Sequence, residues 1–149
     1  MKILDYFNDI IDKFEIRQWP MPERVSLFRV LLEVYHSDGE FSENEREAFR
    51  SSMLGTGVSE DDVSVDFSEA IAELKKDAKK MELVRFWVAA SIFDDDDYDK
   101  KEQAFIKEII IKYDLNEQAL KGTIRQLRDK KMDEAITDWY YSMDNRIGS

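Results

Sequence analysis

A shift of 57 positions lays the second half of this 149-residue chain over its first without a gap. Leu27 falls on Val84, Val30 on Trp87, Leu31 on Val88 and Tyr35 on Ile92. Asp38 falls on Asp95, Phe41 on Tyr98, Ser42 on Asp99 and Glu45 on Glu102, and further along Phe49 meets Ile106 and Ser59 meets Asn116. Apolar positions, cap residues and acids all coincide, so a structural unit is repeated, not merely a composition. Two units are too few for a solenoid, which needs at least three stacked repeats. They suit a pseudo-symmetric bundle in which two helical hairpins pack face to face.

Apolar residues recur at helical spacing almost throughout. Ile3, Leu4, Phe7, Ile10, Ile11 and Phe14 form the stripe of a first helix, which Trp19-Pro20-Met21-Pro22 ends. Pro22 suits the first turn of the next helix, where a missing N–H costs nothing. That helix runs to about His36 with Leu27, Phe28, Val30, Leu31, Val34 and Tyr35 turned inward. Ser42 caps a helix ending before Gly55 and Gly57, and Ser59 caps another, broken near Phe67, that carries Ile71 and Leu74. The second half follows the same order: a helix from about Met81 to Phe93, one capped by Asp99, and one capped by Asn116 through Leu120, Ile124 and Leu127. A last helix carries Ala135, Ile136, Trp139 and Tyr140. No stretch alternates as a strand does. The expected fold is all-α, an internally duplicated bundle of about seven to eight helices forming a single domain over residues 1–149. Its repeat units cover about 25–78 and 82–130, with helical additions at both ends.

Each unit reads helix, Asp-[Gly/Asp]-x-aromatic-[Ser/Asp]-x-x-Glu, helix. Ser42 to Glu45 and Asp99 to Glu102 fit capping boxes, in which the cap side chain and the Glu each satisfy a backbone N–H of the other. Phe41 and Tyr98 stand where hydrophobic staples do, and Gly39 suits a left-handed turn after the preceding helix. Capping accounts for Ser42, Glu45, Asp99 and Glu102. It leaves out Asp38 and Asp95, which sit near a helix C-terminus where the dipole disfavours negative charge. The other reading makes Asp38 with Glu45, and Asp95 with Glu102, oxygen ligands for calcium or magnesium. In the second unit Asp94 to Asp97 crowds four like charges, which water, Lys100 and Lys101, or a metal must relieve.

An EF-hand does not fit. With Glu45 as the twelfth loop position, Val34 and His36 occupy places that require oxygen ligands. The second unit offers Ser91 and Phe93 there, and Asp96 where glycine belongs. The run Val34-Tyr35-His36-Ser37-Asp38-Gly39-Glu40-Phe41-Ser42-Glu43-Asn44-Glu45, echoed in the second half, resembles the TerB-like family. That family is named for tellurite-resistance proteins, and a related domain occurs in DjlA-type co-chaperones. The resemblance covers roughly residues 25 to 120. It implies a duplicated helical bundle, a setting in stress response, and a metal chelated by Asp38, Glu45, Asp95 and Glu102. Asp96 departs from the family's aspartate-glycine pair, which stiffens the second turn.

Charge and composition narrow the remaining functions. Lys plus Arg number 22 against 33 for Asp plus Glu, a formal charge of −11. This opposes binding to nucleic acid, which rests on cations neutralising phosphates, and to anionic membrane surfaces. The absence of cysteine removes thiolate metal sites, disulfides and cysteine nucleophiles. Asp5 stands where a signal peptide needs apolar residues, and the longest apolar run, Phe86 to Phe93, is too short for a membrane span. A cytoplasmic location is therefore expected, without membrane insertion. Glu33 and His36 have the Glu-x-x-His spacing of di-iron bundles, but the second motif such a site needs would require another histidine, and His36 is the only one. No phosphate loop or nucleophile elbow appears. The chain is expected to be non-enzymatic and without an organic cofactor. It either binds a divalent cation through the repeated acids or uses them only as caps in a module that binds a protein partner.

Overall fold

The computed structural model describes residues 6–38, 42–93, 108, 116–128, 134 and 136–141. These are all-α, with no strand among them. The chain divides into two compact units, Met1–Asp77 and Ala78–Ser149.

The first unit opens with α1 (Phe7–Lys13), which buries Phe7, Ile10 and Ile11. Glu15 takes a left-handed conformation, φ 53° and ψ 41°, and reverses the chain into a 3-10 turn at Ile16–Gln18. The Trp19 indole donates to the Phe14 carbonyl at 2.9 Å and so satisfies an acceptor that the end of α1 leaves open. Helix α1 thus ends ahead of the expected break at Trp19–Pro22, of which only Trp19 and Pro20 lie outside a helix.

Helix α2 (Met21–Asp38) runs two residues beyond the expected His36. Val25, Leu27, Phe28, Val30, Leu31 and Val34 are buried along it. Helix α3 (Glu43–Gly55) buries Phe49 and Met53. Its C-terminus is a Schellman motif. The Gly57 N–H bonds the Leu54 carbonyl at 3.0 Å, and the Val58 N–H bonds the Met53 carbonyl at 3.3 Å. Gly57 has φ 85°, which a residue with a Cβ adopts only under strain. Val58 and Met53, the two positions whose side chains meet in this motif, are both buried. From α2, Arg24 donates to the Thr56 carbonyl at 2.6 Å, placing a cation at the negative end of α3.

Two cap signals follow one another. Ser59 donates through its N–H and its hydroxyl to Asp62, both at 2.9 Å. That box supports only a 3-10 turn, Asp62–Ser64, because Val63 leaves helical geometry and Val65 is extended. Asp66 then caps α4 (Phe67–Lys75) by accepting from the Ser68 N–H at 2.7 Å. Helix α4 packs on α2 through Ala70, Ile71 and Leu74. Arg29 fastens the junction. It donates to the Val65 carbonyl at 3.0 Å, pairs with Glu33 at 2.9 Å, and lies 5.6 Å from the centre of the Phe67 ring.

In the second unit α5 (Ala78–Phe93) begins three residues before the expected Met81. Met81, Leu83, Val84, Phe86, Trp87, Val88 and Ala89 are all buried, the pattern of a helix covered on every side. Helix α6 (Glu117–Arg128) packs on α5, with Leu120 and Thr123 buried. Residues 136–141 are helical, and Trp139 stacks on Phe86 with ring centres 4.2 Å apart. The Trp139 indole also donates to Glu82 at 3.3 Å, and Arg85 pairs with the same carboxylate at 2.7 Å. A buried acid in an apolar helix is tolerated when it is paired and hydrogen-bonded in this way. No helix among the described residues is long and apolar enough to cross a membrane.

Candidate functional site

The repeated acidic motif falls between α2 and α3. Asp38 is the last residue of α2, so its charge adds to the negative end of an 18-residue helix. The Asp38 side chain lies outside the described residues, as do Gly39 to Phe41 and the whole second motif with Asp95, Asp96, Asp99 and Glu102.

Ser42, extended at φ −70° and ψ 164°, starts α3. Its hydroxyl accepts from the Glu45 N–H at 3.2 Å, and its own N–H donates to the Glu45 carboxylate at 3.4 Å. The expected capping box is therefore present in the first unit. Glu43 and Glu45 both lie in the first turn, where the helix dipole favours acids. Partial burial pushes the Glu45 carboxyl up, but hydrogen bonds to it, those involving Ser42 among them, outweigh this and hold it below its ordinary 4.5. Among the described residues, no three acidic or histidine side chains gather where they could hold a metal.

The sign of the Glu45 shift sets a pH dependence. A carboxyl lowered in the folded state stabilises the protein above its unfolded value, and the contribution disappears as pH falls through the folded one. Stability should thus dip below about pH 4.5 in part through this residue, and Glu45→Gln should flatten that limb of a melting-temperature profile. Solvent screening keeps the effect small. Ser42→Ala removes the cap itself and should cost about 1 kcal/mol at neutral pH, read by chemical denaturation.

Beside this corner, the C-terminal half of α2, the side of α3 that carries Phe49 and Met53, and the turn at 59–64 line an open pocket of about 220 Å3. Phe49, Met53 and Val63, all buried, and half-buried Leu32 form its apolar lining. His36, Arg46, Arg50 and Glu60, all exposed, form its rim. His36 is thus a surface residue, as its position near a helix end suggests. The sequence reading, drawn to the apolar stripes and the repeated acids, left out the two arginines. The available signal was Arg46-Phe49-Arg50-Met53, a mixed stripe at the i, i+3, i+4, i+7 spacing of one helix face. No known protein family, curated protein or solved structure matches this chain.

Proposed function

We propose that the chain is a non-catalytic helical module that binds a protein partner, its acidic motifs serving as caps that shape each inter-helix turn. The observation that carries this reading is the reciprocal pair of hydrogen bonds between Ser42 and Glu45, which gives the Glu a structural task. The reading includes the internal duplication. Helices α2 and α5 start 57 positions apart, at Met21 and Ala78, matching the sequence shift. Buried residues coincide at that shift: Leu27 with Val84, Val30 with Trp87, Leu31 with Val88, and Val63 with Leu120. Helix α2 packs on α4 as α5 packs on α6, so the long helix of each unit is covered by a later one. The TerB-like resemblance supports the same architecture and brings with it the proposed setting in stress response.

The position of Asp38 supports a second reading, binding of a divalent cation. Asp38 is the last residue of α2, a place where the helix dipole disfavours an acid. Thermal melting with millimolar calcium, magnesium or manganese separates the two. A ligand present at a hundred times its dissociation constant adds about 2.7 kcal/mol to stability. Under the capping reading, these ions leave the melting temperature of the wild type and of Asp38→Asn with Asp95→Asn equally unmoved. A metal-induced rise that vanishes in the double variant establishes the cation reading in its place.

A further inference from the structure

We infer that the helix at 136–141 is a latch on α5, set to lift while the rest of the second unit stays folded, because Glu82 and Arg85 keep a buried charge beneath its anchor. The inference goes beyond the proposed function and does not depend on it. The latch grips along one face. Ile136 and Trp139, three residues apart, are buried, whereas Thr137, Asp138 and Tyr141 are exposed.

The face of α5 under Trp139 is mixed. Phe86 supplies the stacked ring, and Glu82, 5% exposed, supplies a carboxylate to the indole at 3.3 Å. Taking a carboxylate out of water carries a large penalty, which attraction to a partner offsets only when the geometry is good. Here the geometry is uneven. Arg85 donates to Glu82 at 2.7 Å, but the indole bond is long and the Arg85 Nε is buried without a hydrogen-bond partner. An unmet buried donor adds a desolvation cost of its own.

Lifting the helix removes these costs. Arg85 stands one turn from Glu82 on α5 itself, so the ion pair persists when Trp139 leaves and no charge is stranded. Water then reaches the carboxylate and the Arg85 Nε, which offsets part of the stacking that is lost. The first unit gives the contrast. There α1 docks through Phe7, whose ring meets those of Phe28 and Phe49, and parting these apolar rings recovers no ion hydration. The lifted state bares Phe86 beside Glu82 and Arg85, a face that the docked helix closes. Local opening of this kind draws on the least stable part of a fold and leaves the core intact.

Hydrogen exchange of the full chain, followed amide by amide by NMR at neutral pH, reads the latch. In the wild type the amides of residues 139–141 should exchange about tenfold or more faster than those of residues 84–88 in α5. Glu82→Met with Arg85→Met exchanges the buried pair for apolar chains of similar length. It should slow exchange at 139–141, relative to 84–88, by about tenfold. Glu82→Gln keeps an acceptor for the indole and drops the charge, while Arg85, 22% exposed, can turn to water. This variant should slow the same amides by about threefold, and it carries the test alone if the double variant does not fold. An anchoring role for the Glu82 charge has the opposite sign, because both variants would then speed exchange at 139–141. Faster or unchanged exchange there in either folded variant overturns the inference. So does exchange of both segments at one common rate in the wild type, which would mean that the helix leaves α5 only when the unit unfolds.

Discussion

Phe28→Ala should remove about 3–5 kcal/mol of stability, against the ~5–15 kcal/mol that a typical domain possesses. Phe28 is fully buried, and its ring meets those of Phe7 and Phe49 at centroid distances of 5.8 Å each. The Phe7 and Phe49 rings are also 5.8 Å apart, so one ring from each of α1, α2 and α3 closes a three-way contact. Truncation loses the transfer energy of the side chain and leaves a cavity that three helices cannot collapse into without moving. It also breaks two aromatic contacts, each worth about 0.5–1.5 kcal/mol beyond area. Leu54 provides the control. It lies on the same helix as Phe49 but is 53% exposed, so Leu54→Ala should change stability by no more than about 0.5 kcal/mol. Chemical denaturation of the two variants checks the contrast, and comparable losses would contradict the packing described.

The same contrast explains what was legible in the sequence. The inward face of α2 was readable because Leu27, Phe28, Val30, Leu31 and Val34 follow the helical period, and all five are buried. The Ser42 capping box was readable because it is local: cap and Glu lie three residues apart, and their hydrogen bonds need no tertiary partner. Boundaries set by competition were harder. Ser59 and Asp66 both carry cap chemistry, and the geometry of Val63 decides that only Asp66 starts a full helix. Ala78 begins α5 ahead of the apolar run because the exposed Lys79 and half-exposed Lys80 fill a turn that apolar periodicity cannot detect. For the candidate site, the cap at Glu45 was legible, whereas the rim of the neighbouring pocket was not. That rim assembles from three segments, and only the fold brings Arg50 to Glu60. Glu82 is the extreme case, since a glutamate inside an apolar run looks like a solvent-facing residue. Its burial depends on Arg85 one turn away and on an indole 57 residues further along the chain.

That indole is the site of the second large effect. Trp139→Ala should cost about 3–5 kcal/mol, while Trp139→Phe should cost markedly less. Trp139 is 2% exposed and contributes two separable things: a ring stacked on Phe86 at an interplanar angle of 24°, and a donor to the Glu82 carboxylate. Alanine removes both, and phenylalanine keeps a ring for the stack while losing the donor. A hydrogen bond to a charged group contributes about 1.5–3 kcal/mol. At 3.3 Å this one is long for an N–H to carboxylate contact, and Arg85 holds the other carboxylate oxygen at 2.7 Å. The donor should therefore count at the low end of that range and the stacked ring should carry most of the cost. Phe86→Leu tests the division from the other side, because it breaks the stack and spares the indole donor. If stacking dominates, Phe86→Leu destabilises at least as much as Trp139→Phe. If Trp139→Phe instead costs nearly as much as Trp139→Ala, the buried Glu82 charge, not the aromatic contact, anchors the 136–141 helix to α5.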